Sequence, residues 1–157
     1  MRFFEKVSFK QFKEDIINDK VLYEDLKLPK RSTKNSAGYD FHSPVDVVLR
    51  PNDIVKIPTG IKASMNDDEV LLIYVRSSMG FKYNVRMCNQ TGIIDSDYYN
   101  NSSNEGHIFI KLQNEGTSDF VIKKGDKICQ GIFIKYLTVE DEEEIANERI
   151  GAFGSTN

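Results

Sequence analysis

The sequence predicts an all-β domain of the sandwich or barrel type. Apolar residues make up 39% of the 157-residue chain and aromatic residues 11%, which is enough to build a core. After residue 29, short runs of β-branched and aromatic residues alternate with breakers rich in glycine, proline, asparagine and aspartate. Many short strands joined by frequent turns are typical of these two architectures. The runs expected to form strands are residues 45–49, 54–57, 70–75, 107–112 and 128–136.

The length fits a single domain over residues 1–157. Residues 8–19 form a predicted helix, because Ser8 and Gln11 have the spacing of a capping box and apolar residues follow at helical intervals. A second short helix is possible at residues 79–83, where Ser77 or Ser78 is suited to the N-cap position.

Charge and cysteine content exclude several classes of protein. The net charge of −3 does not favour a polymeric nucleic-acid binder, which usually carries a basic face. Cys88 and Cys129 are too few and too far apart to indicate a disulfide framework or a zinc site. The N-terminal residues indicate neither a signal peptide nor a membrane helix, so we expect no membrane partner and a cytoplasmic location.

Two polar segments could bind a ligand. In residues 37–40 (AGYD), a small residue and a glycine precede Asp40, which suits either a β-bulge with a turn aspartate or a close backbone approach to a ligand. In residues 76–80 (RSSMG), Arg76 and two hydroxyls follow an apolar run. These groups suit a phosphate, although the serines could equally cap a helix, and a helix N-terminus itself attracts anions.

A third segment, residues 89–98 (NQTGIIDSDY), is the best candidate for catalysis. Thr91 and Gly92 predict a hairpin turn, after which Asp95 and Asp97 would project from one face of a strand. An aspartate beside isoleucines and Tyr98 has the partly apolar setting that suits a general base, although acidic turns are common. The glycine-rich tail with its single Phe153 is either a loose end or an aromatic lid.

Taken in order, five runs resemble the motifs of the trimeric dUTPases. They are residues 37–41 (AGYDF), 76–80 (RSSMG), 92–98 (GIIDSDY), 125–130 (GDKICQ) and 149–156 (RIGAFGST). The resemblance implies a jelly-roll-like (β-clip) homotrimer with one or two short helices. A flexible C-terminal arm, about residues 140–157, would be exchanged between subunits, and the active sites would lie at subunit contacts.

The resemblance also implies hydrolysis of dUTP to dUMP and pyrophosphate, which limits uracil in DNA and supplies dUMP for thymidylate. Asp95 would be the general base, Arg76 would orient the catalytic network, and Asp40 would support Mg²⁺ through waters, the ion resting mainly on the substrate phosphates. The implied substrate-binding residues are Ser77, Ser78, Gly80 and Gln130 for phosphate, Asn89, Gly92, Ile93 and Ile94 for uracil, Tyr98 for deoxyribose, and Arg149, Phe153, Gly154 and Ser155 in the closing arm.

Two departures from the family pattern are visible. A polar insertion at residues 99–105, expected to be a surface loop, separates Tyr98 from Gly106, and Arg149 stands four positions before Phe153 where many members have five. The alternatives are a dCTP deaminase or bifunctional deaminase–dUTPase of the same fold, and a non-catalytic regulator built on it. A phage or viral origin would place the protein in the host cytoplasm.

Overall fold

The computed structural model describes residues 1–143, 145, 149 and 151. These residues form twelve strands, three short α-helices and one 3₁₀ helix at Ser96–Tyr98. The helices are α1 (Phe9–Asp15), α2 (Lys20–Glu24) and α3 (Ser77–Tyr83). The strands are β1 (Phe3–Lys6), β2 (Lys30–Arg31), β3 (Tyr39–His42), β4 (Val47–Leu49), β5 (Ile54–Pro58), β6 (Ile61–Ser64), β7 (Glu69–Tyr74), β8 (Val85–Met87), β9 (Gly92–Asp95), β10 (Phe109–Asn114), β11 (Phe120–Ile122) and β12 (Lys127–Lys135).

All strand pairs are antiparallel and enclose one hydrophobic core. The largest sheet has the order β2-β3-β12-β7-β9, and a second has the order β5-β10-β8. Two further two-stranded sheets are formed by β1 with β6 and by β4 with β11. Core side chains come from both large sheets, including Phe41, Leu71 and Ile73 on one and Ile110 and Leu112 on the other. The all-β, jelly-roll-like fold class is confirmed, with one helix more than predicted.

The helix predicted at residues 8–19 is wrong in its extent, because α1 ends at Asp15 and a separate helix, α2, begins at Lys20. Ser8 caps α1 as expected, since its Oγ accepts a hydrogen bond from Gln11 N at 3.1 Å. The reciprocal half of the capping box is missing, because Ser8 N donates to Glu105 instead. Ile16 is the C-cap of α1, and Asp19 accepts from Leu22 N at 2.9 Å as the N-cap of α2.

The hairpin predicted around residues 89–94 is also wrong. The chain does turn here, and Gln90 has a φ of +61°. However, the strands on either side do not pair, since β8 pairs with β10 and β9 pairs with β7. The turn therefore carries the chain from one sheet to the other. Residues that favour a turn do not specify which strand each flanking strand pairs with.

The insertion at residues 99–105 is only partly a surface loop. Ser102 and Ser103 are exposed, but Asn101 and Asn104 are buried. Their side-chain amides bond to nearby backbone groups, which allows these polar residues to leave solvent. Within the described residues, no helix has the length and apolar content needed to cross a membrane.

His107 connects the N-terminal helices to the core. Its ring is fully buried, Nε2 accepts from Gly60 N at 2.8 Å, and Nδ1 lies 2.5 Å from Asp15 Oδ2. Because Gly60 N can only donate, Nε2 carries no proton and Nδ1–H donates to the carboxylate. Burial lowers the pKa of His107, with the nearby Asp15 acting in the opposite direction. The folded protein therefore favours the neutral ring.

We predict that His107 makes folding stability fall in mild acid. Its folded-state pKa lies below the ordinary value of 6.5, so the unfolded chain binds a proton first as pH decreases. The contribution of His107 to the free energy of unfolding is complete above the pKa of this residue in the unfolded chain. It is lost as pH falls below that value, by up to about 1.4 kcal/mol per pH unit. The free energy of unfolding, measured with urea across this pH range, should decline more steeply with falling pH for wild type than for His107→Gln. Parallel curves would contradict the assignment.

Candidate functional site

A cavity of about 310 Å³ opens beside the end of β9. Seven of the residues proposed from the sequence line it, namely Asn89, Gly92, Ile93, Ile94, Asp95, Tyr98 and Arg149. Three further lining residues, Ile73, Met87 and Phe109, were not predicted. They lie on β7, β8 and β10, where the sequence gives no sign of which residues face the cavity. The cavity is large enough for one ring-sized group of a ligand.

Asp95 and Asp97 share one cationic partner at the cavity rim. Asp95 is the last residue of β9, where it pairs in register with Val70, and Asp97 lies in the following 3₁₀ turn rather than on the strand. Arg149 Nη2 lies 2.5 Å from Asp95 Oδ2, and Arg149 Nε lies 2.7 Å from Asp97 Oδ1. The structure thus places Arg149 on the predicted base, whereas the family resemblance implied a substrate contact from the closing arm.

Tyr98 forms part of the cavity wall and is anchored at its hydroxyl. The residue is 7% exposed, and its hydroxyl donates to the carbonyl oxygen of His107 at 2.9 Å. The guanidinium carbon of Arg149 lies 5.9 Å from the ring centroid. Burial raises the pKa of Tyr98 despite a lowering hydrogen bond from Asn104, so the phenol keeps its proton.

A second polar cluster surrounds Asp40 on β3. Arg76 Nε lies 3.4 Å from Asp40 Oδ1, while Lys127 Nζ lies 2.7 Å and Ser32 Oγ 2.5 Å from Oδ2. Burial alone raises the pKa of Asp40, but the hydrogen bonds from Lys127 and Ser32 and the charge of Arg76 outweigh it. The net pKa is below the ordinary aspartate value, so this carboxylate is ionised.

Gln130 belongs to the same cluster because β12 pairs with both β3 and β7. It lies opposite Asp40 on one side and Tyr74 on the other, and its Nε2 donates to Val75 O at 3.3 Å. A Cβ at Gly38 would lie 2.4 Å from Gln130 Oε1, so a larger residue there would displace the end of this side chain. The backbone of residues 37–40 therefore lies close to a side chain of the same chain.

The remaining predicted phosphate ligands continue from this second cluster. Ser77 and Ser78 directly follow Arg76 and are exposed at the start of α3. Gly80 lies one turn further along the same helix. Arg76, rather than either serine, occupies the N-cap position, and it makes no side-chain cap bond. In the described part of the chain, none of Asp40, Arg76, Ser77, Ser78, Gly80 and Gln130 lines the Asp95 cavity.

Part of the predicted arm cannot be placed. Arg149 is described, whereas Phe153, Gly154 and Ser155 lie outside the described residues. Two partners of Asp40, Ser32 and Lys127, were not predicted from the sequence. Lys127 stands inside the run at residues 125–130 and could have been chosen for its charge, but no sequence signal identifies Ser32.

Asp40 and Asp95 suit a metal ion that is bound mainly by the phosphates of a substrate and by water. Among the described residues, no group of three or more histidine, cysteine, aspartate or glutamate side chains is placed to hold a metal ion. Asp40 already contacts Lys127, Ser32 and Arg76, and Asp95 contacts Arg149. Mg²⁺ commonly binds through one or two carboxylates, several waters and substrate phosphates. The residues present fit that mode and not an all-protein cage.

Comparison with known proteins gives consistent matches. The family model described as dUTPase matches residues 24–157. The deoxyuridine 5′-triphosphate nucleotidohydrolase of Lactococcus lactis subsp. lactis is 46% identical over 132 residues, covering 83% of this chain and 88% of that protein. The crystal structure of dUTPase from Streptococcus mutans is 36% identical with a TM-score of 0.71, covering 87% of this chain and 98% of that one.

A more distant match concerns the fold alone. A mutant dUTPase from phage phi11 of S. aureus, whose structure is described as showing the coordination of a structural Mg(II) ion, has a TM-score of 0.68 at 21% identity. It covers 92% of this chain and 96% of that one. The first 23 residues of the present chain, including β1 and α1, precede the segment matched by the family model.

We predict that Lys127 keeps the pKa of Asp40 low. In Lys127→Met, the carboxylate loses a hydrogen bond and a positive charge, so its pKa should rise. NMR titration of the labelled side-chain carboxyl would measure this shift, and Ser32→Ala should produce a smaller one. Lys135→Met, which removes a lysine paired with Asp68 instead, should leave Asp40 unchanged. An unaltered Asp40 titration in Lys127→Met would contradict the assignment.

Proposed function

The chain belongs to the dUTPase family, and we propose that it hydrolyses dUTP to dUMP and pyrophosphate at the cavity beside Asp95. The observation that carries this proposal is the position of that carboxylate at the rim of a pocket lined by Asn89, Ile94 and Tyr98. The reaction would remove a uracil nucleotide from the DNA precursors and supply dUMP. Because its substrate belongs to that precursor pool, we propose a cytoplasmic location.

Asp95 is the proposed general base. Arg149 contacts Oδ2, and its transfer to the outer phosphates would leave the carboxylate free to accept from the attacking water. The carboxylate accepts a proton from the water as the water oxygen bonds to the α-phosphorus. The bond from that phosphorus to the bridging oxygen breaks, and its electron pair leaves with pyrophosphate. A correctly placed base contributes about 10²- to 10⁴-fold to the rate.

The turn at residues 89–94 is proposed to recognise uracil through backbone groups. Gly92 has little space for a side chain, since an added Cβ would lie 3.1 Å from Ile73 Cβ. Gly92 also lines the cavity, so a base bound there would face its main chain without an intervening side chain. Amide and carbonyl groups matched to uracil would leave the amine of cytosine unpaired, and a polar site can reject such a mismatch by about 10⁴-fold. Tyr98 is proposed to pack under the deoxyribose.

The phosphate groups are proposed to meet Arg76, Ser77, Ser78, Gly80 and Gln130. Arg76 and the backbone at the start of α3 supply positive charge and N–H donors, which suit phosphate oxygens. Arg149 would exchange its carboxylate partners for the outer phosphates, because a guanidinium binds both groups in the same way. Mg²⁺ would neutralise charge on the departing pyrophosphate, with Asp40 supporting it through waters.

The separation of these residues supports a site shared between subunits. Asp95 lies opposite Val70, near the start of β7, whereas Gln130 lies opposite Tyr74 at its end. Four residues of strand span roughly 13 Å, and the two neighbours are on opposite edges of β7. A second copy in a homotrimer would bring its Asp40 cluster to the Asp95 cavity. Phe153, Gly154 and Ser155 of an exchanged arm are proposed to close over the nucleotide.

The deaminase alternative is not favoured. The nucleotidohydrolase of Lactococcus lactis covers most of this chain. The cavity holds an aspartate at its rim, where a deaminase would need a glutamate base and residues that read cytosine. Ammonia release from dCTP would support the alternative directly.

We predict that wild type releases pyrophosphate from dUTP and neither pyrophosphate nor ammonia at a comparable rate from dCTP. Asp95→Asn should keep nucleotide affinity while kcat falls by about 10²- to 10⁴-fold, because only the base is removed. Asp97→Asn is the matched control, since Asp97 also contacts Arg149 but is not the proposed base. Equal losses in the two variants, or normal turnover in Asp95→Asn, would argue against the mechanism.

We also predict a homotrimer, with a solution mass of three times the 18.0 kDa chain. Asp95→Asn and Arg76→Ala should each be inactive alone. Mixed trimers assembled from equal amounts should recover about a quarter of wild-type activity, because each mixed ring has one interface with both residues intact. Light scattering would give the mass and pyrophosphate release the activity. No recovery in confirmed mixed trimers would show that the site belongs to one chain.

A further inference from the structure

The inserted loop, defined here as residues 99–105, bonds directly to the wall of the Asp95 cavity. Asn104 Nδ2 lies 2.9 Å from the hydroxyl oxygen of Tyr98. Asn101 Nδ2 donates to the Tyr98 carbonyl oxygen at 2.8 Å. The loop therefore contacts both ends of this tyrosine, although its sequence is polar and it departs from the pattern of the family.

The direction of each hydrogen bond follows from the network. Gly106 N can only donate, and it lies 3.1 Å from Asn104 Oδ1, so the amide nitrogen of Asn104 must face Tyr98. The tyrosine hydroxyl accepts that bond and has one proton left, which it donates to the His107 carbonyl. The hydroxyl is thus held between the side-chain amide of Asn104 and the backbone carbonyl of His107, three residues further along the chain.

The loop is itself fixed from the other side. Glu105 accepts from Ser8 N at 2.9 Å and from Ser8 Oγ at 2.5 Å, and Lys62 Nζ lies 3.5 Å from the same carboxylate. Burial raises the pKa of Glu105, but the bonds from Ser8 and the charge of Lys62 outweigh it and lower the net value. Tyr99 also donates to Glu5 on β1. Asn104 therefore belongs to a loop that is held in place by hydrogen bonds and an ion pair to the rest of the domain.

We propose that Asn104 is a positioning residue that holds the Tyr98 ring against the sugar and thereby sets discrimination between deoxyribo- and ribonucleotides. This inference rests on the proposed function, in which Tyr98 packs under the deoxyribose. A 2′-hydroxyl can be admitted only if the ring withdraws from the cavity. The hydroxyl of Tyr98 is its only polar atom beyond the backbone, so the bonds from Asn104 and to His107 oppose that withdrawal.

The test compares kcat/KM for dUTP and UTP in wild type, Asn104→Leu and Tyr98→Phe, measured as pyrophosphate release. Asn104→Leu removes the donor to Tyr98, together with the acceptor for Gly106 N, at similar volume. Loss of the bond to Tyr98 should lower the dUTP/UTP ratio about threefold to tenfold, the range of one buried hydrogen bond. Tyr98→Phe removes the hydroxyl and should lower the ratio at least as much. Adding Asn104→Leu to Tyr98→Phe should then change the ratio little, because the shared contact is already absent.

Ser103→Ala is the matched control in the same loop. Ser103 Oγ donates to Asn101 Oδ1 and is exposed, so its loss should leave the ratio and the melting temperature near wild type. An unchanged ratio in folded Asn104→Leu would overturn the inference. If that variant does not fold, Tyr98→Phe decides, since an unchanged ratio there shows that the hydroxyl anchor has no effect on the sugar. Failure of wild type to hydrolyse dUTP would count against the proposed function instead.

Discussion

The pairing of β7 with its two neighbours is the constraint on which the placement of the chemistry depends. One edge of β7 holds β9 and so determines the position of Asp95, while the other edge holds β12 and so determines that of Gln130. Arg76 follows the end of β7. Because one strand spaces these residues apart, they lie at two separate places on a single chain. In the proposed homotrimer, the symmetry between copies would bring the two surfaces together.

Local sequence was sufficient where function depends on a few adjacent residues. Asn89, Ile94, Asp95 and Tyr98 reach one cavity because the turn and strand that carry them are continuous in sequence. The predicted hairpin failed for the opposite reason. A turn signal shows that the chain reverses, but the edges that β8 and β9 pair with are set by β10 and β7, which lie elsewhere in the sequence.

Polarity was a poor guide to burial in the inserted loop. Its asparagines and serines predicted a solvated surface, yet Asn101 and Asn104 are buried at 8% and 9% exposure. An asparagine amide can satisfy backbone groups on both of its sides, so a polar segment can pack without orphaned donors. Such a network depends on the folded path of the loop, and composition contains no information about that path.

The two segments that extend beyond the family pattern meet each other, and this contact links the periphery to the pocket. The N-terminal residues that precede the family match supply Ser8 to Glu105 and Asp15 to His107. His107 in turn offers its carbonyl to the hydroxyl of Tyr98. The Ser8–Glu105 bond is exposed, whereas the Asp15–His107 bond is partly buried and the Tyr98–His107 bond is buried. A change at Asp15 or His107 must therefore be absorbed by its neighbours or transmitted inward. Both the N-terminal segment and the inserted loop can thus affect the position of a residue that lines the cavity.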